Sequence, residues 1–182
     1  MLVLIPSFQP DRRLVELVDD LRAHPDTSDI LIVNDGSGPD YSALFAAAAA
    51  AGATVIGYPD NRGKGHALRA GFTWAIANRP GEPVVCSDSD GQHAAADIRA
   101  VSRATALPGA GLVLGTRNFG SPRAQPDAEG IPWRSRLGNR ATARLFAWVT
   151  GLHLGDTQTG LRGLPRAHAR LAVHRPRRAL RL

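Results

Sequence analysis

The chain has 182 residues, 43% of them hydrophobic, with 22 Lys+Arg, 16 Asp+Glu and one cysteine. That length and composition fit one globular domain with a real core. The lone Cys86 excludes an internal disulfide framework, suits a reducing cytoplasm and reads as a small buried apolar side chain.

The opening "MLVLIPSFQP" lacks a basic leader and meets a proline at residue 6, so it reads as a buried strand and not as a signal peptide. No apolar run approaches the ~20 residues of a membrane helix. After the strand at 2–6, Leu14, Leu17, Val18 and Leu21 recur at helical spacing. "ILIVNDGSGPD" (30–40) is a strand and a turn cluster; 43–51 is an alanine-rich helix. A third strand at 53–58 leads through "PDNRGKG" to a helix at 64–78. A fourth strand (82–87), a helix (94–106) and a fifth strand (111–117) complete the alternation. Residues 118–133 read as a long loop, 134–150 as a helix, and 151–165 as loop and short strand. Strands alternating with helices predict an α/β fold: a mostly parallel central sheet with helices on both faces. The strands are nearly continuously apolar, as expected when both faces are covered.

Charge is uneven. Residues 1–116 hold 9 Lys+Arg against 13 Asp+Glu, a net of −4; residues 117–182 hold 13 against 3, a net of +10; together they give +6. The tail "HRPRRALRL" carries four arginines in nine residues and no acid. A basic C-terminal third implies an anionic partner: a diphosphate, a lipid phosphate, a membrane surface or nucleic acid. Aromatic residues are only 5% and no motif of the known nucleic-acid readers appears, so nucleic acid is set aside.

In open α/β sheets, ligands bind beyond the carboxyl ends of the strands. Those positions carry Pro6, Ser7 and Phe8; Asp35, Gly36 and Ser37; Asn61, Gly63, Lys64 and Gly65; Asp88 and Asp90; Thr116 and Arg117. In "VVCSDSDGQH" an apolar strand runs into Asp88 and Asp90, which share one side if strand geometry persists. Two adjacent carboxylates repel unless a cation sits between them, and Mg²⁺ or Mn²⁺ typically takes one or two carboxylates plus waters and phosphate oxygens. The bland alternative is a solvated Asp-Ser-Asp-Gly turn. Lys64, at a glycine-rich helix start, suits an anion or is a surface lysine on a turn. His66 and His93 are further ligand candidates, with a satisfied polar role favoured for His66. Neither a G-x-x-x-x-G-K-[ST] loop nor a G-x-G-x-x-G after the first strand is present.

Taken in order, "VLIPSFQP", "ILIVNDGSGPD", "NRGKGHALRAGF", "DSDGQH", "GTR" and "DTQTGLRG" resemble the motifs of family 2 glycosyltransferases of the GT-A fold. The branch they resemble contains the dolichyl-phosphate mannosyltransferases and polyprenyl-phosphate glycosyltransferases. Asn34 replaces that family's usual first aspartate, and Pro10 its usual glutamate. The resemblance spans residues 2–165 and implies a domain at 1–165 followed by a basic tail at 166–182.

It also implies roles. Pro6, Phe8, Val33 and Asp35 would hold the base and ribose of a nucleotide diphosphate sugar; Asp88, Ser89 and Asp90 would meet the donor; Asp90 and Gln92 would hold Mg²⁺ or Mn²⁺. Arg117 would face phosphates, and Asp156 would be the base if the acceptor were a hydroxyl. The expected reaction is inverting, metal-dependent sugar transfer to a polyprenyl phosphate, in the cytoplasm or peripherally on the inner face of a bacterial membrane. The family's domain normally continues past the D-T-Q-x-G segment, whereas this chain runs 22 residues beyond Gly160, so the expectation includes a C-terminally shortened member. Two rival readings are an inactive nucleotide-sugar-binding domain and a nucleotidyltransferase.

Overall fold

The structure, a computed structural model, describes residues 1–24, 29–115 and 160–165. The chain divides into two compact units, Met1–Leu114 with Leu161–Leu182, and Gly115–Gly160. All elements named below belong to the first unit. The loop expected at 118–133, the helix at 134–150 and the tail at 166–182 lie outside the described residues.

The elements run β1 (Leu2–Ser7), α1 (Arg13–Arg22), β2 (Asp29–Asp35), a 3₁₀ turn (Pro39–Tyr41), α2 (Ser42–Ala50), β3 (Thr54–Tyr58), α3 (Lys64–Asn78), β4 (Val84–Cys86), α4 (Ala95–Ala106), β5 (Val113–Leu114) and β6 (Arg162–Leu164). They form one sheet of order β3-β2-β1-β4-β6-β5. β1 pairs in parallel with β2 and β4, and β2 with β3, whereas β6 is antiparallel to both β4 and β5. The fifth strand expected at 111–117 is therefore only two residues long, and it does not neighbour β4. β6 intervenes, and Gly163 lets it: a Cβ there would sit 1.8 Å from Thr105 Oγ1 on α4.

The alternation of side chains along the central strands sorts the core into two layers. Val3, Ile5, Ile30, Ile32 and Val85 pack on one face with Leu14, Leu17, Val18 and Leu21 of α1, Phe45 and Ala48 of α2, and Ile98 and Val101 of α4. Leu2, Leu4, Leu31, Val33, Val84 and Cys86 pack on the other with Ala67, Phe72 and Ala75 of α3. This explains the continuous apolar runs of β1, β2 and β4; each fully buried aliphatic side chain contributes about 1.5–3 kcal/mol. β3 departs from the expectation of strands covered on both faces. It is an edge strand, and none of its residues is fully buried. Burial pushes the Cys86 thiol up to about 12, as the small-apolar reading requires.

Strand order sets where a ligand can enter. From β1 the sheet grows one way through β2 and β3 and the other way through β4, so the connections diverge between β1 and β4. The β1–β4 register ends at Leu4–Cys86, extended by a Ser87 N–H donated to the Leu4 carbonyl at 3.0 Å. Pro6, which has no N–H to offer, comes after that point, still opposite Val33 of β2. A crevice opens there.

Candidate functional site

A cavity of about 250 Å³ lies at this divergence, lined by Pro6, Ser7, Phe8, Asp35, Lys64, Ala67, Asp88, Ser89 and Asp90. The ends of β1, β2 and β4 and the start of α3 thus converge on one space. The structure brings Pro6, Phe8, Asp35, Lys64, Asp88, Ser89 and Asp90 together there. Val33 is fully buried in the α3-facing core and lines no part of the cavity. Gln92 is exposed and outside the lining; its backbone N–H donates to Asp90 Oδ1 at 3.1 Å. Arg117 and Asp156 lie outside the described residues.

The β2 end is densely bonded. Asp35, only 2% exposed, accepts at Oδ1 from the Tyr58 hydroxyl (2.6 Å) and the Arg62 N–H (2.9 Å). The Asn61 amide donates to the Asp35 carbonyl at 3.2 Å and lies 3.4 Å from Oδ2. Gly36 permits this convergence. Its φ is +67°, and a Cβ would fall 2.3 Å from the backbone of Asp60 and Asn61. Asn34, where the resembled motif has aspartate, closes the turn by accepting the Ser37 N–H at 2.9 Å. Ser37 Oγ in turn accepts the Gln9 N–H at 2.9 Å, holding Gln9 at φ +47° just after Phe8.

The β4 end is sparser. Lys64 Nζ forms an ion pair with Asp88 Oδ1. Gly91 turns the chain at φ +74°. Burial falls from Ser87, 1% exposed, to half-buried Asp88, Ser89 and Asp90. His66 lies outside the lining, packing edge to face with Tyr58 at 5.1 Å; His93 is buried, also outside it.

Among the described residues, no group of three or more His, Cys, Asp or Glu side chains is arranged to hold a metal ion. A metal here would need a partial protein shell, which Mg²⁺ and Mn²⁺ accept. Strand geometry does not persist to Asp88 and Asp90, because β4 ends at Cys86. Both carboxylates nevertheless line the cavity, and that donor set, with room for waters and phosphate oxygens, fits the requirement. Asp90 is the better-placed donor, since Asp88 is already engaged by Lys64.

Sequence reasoning named Ser7 only by its place after the first strand and gave it no role; its Oγ is buried against the cavity and has no hydrogen-bond partner among the described residues. The same reasoning missed Tyr58 altogether. Tyr58 read as the end of a strand, and nothing local linked it to Asp35, its register partner across β2 and β3.

An α/β sheet with an acid-rimmed cavity at its switch point is the arrangement in which open α/β folds bind their ligands. The Glycosyl transferase family 2 model matches residues 2–164, and the chain belongs to that family. No curated protein matches its sequence. Among solved structures, a mannosyltransferase, PcManGT from Pyrobaculum calidifontis, in complex with GDP-Man and Mn2+, is similar with a TM-score of 0.53 at 22% identity. That match covers 64% of this chain and 35% of the other. A mycobacterial protein is similar with a TM-score of 0.62 at 20% identity, covering 91% of this chain and 53% of the other. These likenesses establish the GT-A type of α/β fold. The chain spans about a third to a half of the lengths of these two structures.

Proposed function

We propose that the chain binds a nucleotide diphosphate sugar and transfers its sugar, with inversion, to a polyprenyl phosphate, as in the dolichyl-phosphate mannosyltransferase branch. The observation that carries this reading is the convergence of Asp35, Lys64, Asp88 and Asp90 on one cavity in a family 2 chain. Asp35 would take the nucleoside half, with Pro6 and Phe8 beside it and the backbone of buried Val33 behind. Lys64, Ser89 and the two carboxylates would take the diphosphate half.

Asp90, with Asp88 as second carboxylate and Gln92 adjacent, would hold Mg²⁺ or Mn²⁺, which when bound supplies charge stabilisation to the departing diphosphate. The reaction balances simply. An acceptor phosphate oxygen forms a bond to the anomeric carbon, and the bond from that carbon to the donor diphosphate breaks, its electron pair leaving with the nucleotide. An anionic acceptor needs little help from a base; Asp156 would serve only a hydroxyl acceptor. Arg117 would position the phosphates of donor or acceptor.

Among the described residues no helix is long and apolar enough to cross a membrane. The charge of the segment 166–182 supports a different kind of contact: on this reading a lipid-phosphate acceptor would be met at a cytoplasmic membrane face, with that basic segment toward the anionic surface.

Calorimetry of UDP and GDP with Mn²⁺ tests the donor half. Asp90→Ala should remove Mn²⁺-dependent binding and leave the fold intact; equal Mn²⁺-dependent affinity in both proteins would sink the site. Release of nucleoside diphosphate from a sugar donor, dependent on added polyprenyl phosphate, tests the transfer. Donor binding without such release would leave a binding domain only.

A further inference from the structure

Asp35 is a carboxylate almost wholly out of water, and no Lys or Arg among the described residues makes an ion pair with it. A buried anion persists only if its lone pairs are met by donors. The donors here are unequally shared. Oδ1 takes both short bonds, from the Tyr58 hydroxyl at 2.6 Å and the Arg62 N–H at 2.9 Å; Oδ2 has only the Asn61 amide, at 3.4 Å. A carboxylate offers about four lone-pair sites over its two oxygens. Asp35 therefore keeps acceptor capacity on Oδ2, and it lines the cavity.

Tyr58 does not line the cavity. It stands opposite Asp35 in the β2–β3 register. Its ring is held between the Arg62 guanidinium, 5.5 Å from the ring centroid, and the edge-on His66 ring at 5.1 Å. The ring's packing would be served equally by phenylalanine. Only the hydroxyl reaches Asp35.

We propose that Tyr58 is a positioning residue: its hydroxyl anchors Asp35 Oδ1 to the protein so that Oδ2 alone is presented to an N–H or O–H donor on the nucleoside half of the ligand. Burial, and then the bond to Asp35, push the Tyr58 phenol up, which keeps it a donor at any working pH. The role deepens, and rests on, the nucleotide reading of the cavity. Its consequence is selective: Tyr58 should govern how much a nucleoside adds to binding and leave the diphosphate contribution untouched.

The test is calorimetry on the full chain, with Mn²⁺ throughout, using pyrophosphate, UDP and GDP as probes. Wild type should bind at least one nucleotide more tightly than pyrophosphate. Tyr58→Phe should weaken that nucleotide about tenfold, the loss expected of one hydrogen bond to a charged group, with pyrophosphate affinity unchanged. Unchanged pyrophosphate binding also shows that the variant is folded. If nucleotide and pyrophosphate weaken together, Tyr58 is merely structural and the proposal falls. If wild type and variant discriminate nucleotide from pyrophosphate equally, Tyr58 alone is excluded and the nucleotide site stands. If wild type binds pyrophosphate as tightly as either nucleotide, the nucleoside reading itself fails and takes Tyr58's role with it.

Discussion

The two acidic ends of the cavity are built differently. At the β2 end, Asp35 is fixed by Tyr58, Arg62 and Asn61, and Gly36 lets the 60–62 segment close onto it. At the β4 end, Asp88 and Asp90 are half-buried, held by one lysine and one turn N–H. The first carboxylate is preorganised by the protein; on the proposed reading a cation would complete the second pair. That division suits the proposed ligand, whose nucleoside half would meet a carboxylate already ordered by the protein, because preorganisation lowers the ordering cost of binding.

The contrast can be tested beneath the site first. β4 is as buried as β2 up to Cys86, so the looseness should begin only beyond Ser87. With its thiol raised from the ordinary 9.0 to about 12, native Cys86 should carry roughly a thousandfold less thiolate at pH 8 than the unfolded chain. Reaction with a thiol reagent should accordingly wait for unfolding. The sign for stability follows: the buried neutral thiol stabilises fully below 9.0, and this is lost as pH climbs through about 12. Fast native labelling at pH 8 would show that β4 opens as well.

The next effect is at the other end. Gly36→Ala places a Cβ in a left-handed backbone and against the Asp60–Asn61 peptide, a cost of about 2–4 kcal/mol in denaturant unfolding. A loss below about 0.5 kcal/mol would mean the 60–62 segment is free to move and Asp35 is not preorganised.

Ligand binding then divides the ends. Asp35→Ala should weaken UDP or GDP, whichever binds, and its free nucleoside roughly tenfold or more. Asp90→Ala should affect only the phosphorylated ligand. Equal losses of both ligands in both variants would erase the distinction.

The smallest expected effect is at Lys64. Asp88 is paired with that lysine and on the proposed reading would also serve the metal, so Lys64→Met should strengthen Mn²⁺ binding without ligand a few-fold and weaken metal-free pyrophosphate by a similar factor. No change in either titration would make the pair incidental.

Much of this was legible in the sequence. Continuous apolar runs marked β1, β2 and β4 because both their faces are covered, and helical spacing marked α1 through Leu14, Leu17, Val18 and Leu21. Asp35, Lys64, Asp88 and Asp90 were legible because the rule that ligands gather at strand carboxyl ends needs only strand positions and a parallel sheet.

Other features had no local signature. The short strand expected within 151–165 is present as β6, three residues long, but nothing local showed that it inserts between β4 and β5 from far along the chain. Tyr58 and Asp35 lie 23 residues apart, and the lysine that meets Asp88 comes 24 residues before it. Periodicity and turn chemistry determined which segments are strands and which residues end them, because both act within a few residues. The partner of each carboxylate was decided by sheet register and by a glycine that admits a neighbouring backbone. Those are distances between segments, and only the folded chain sets them.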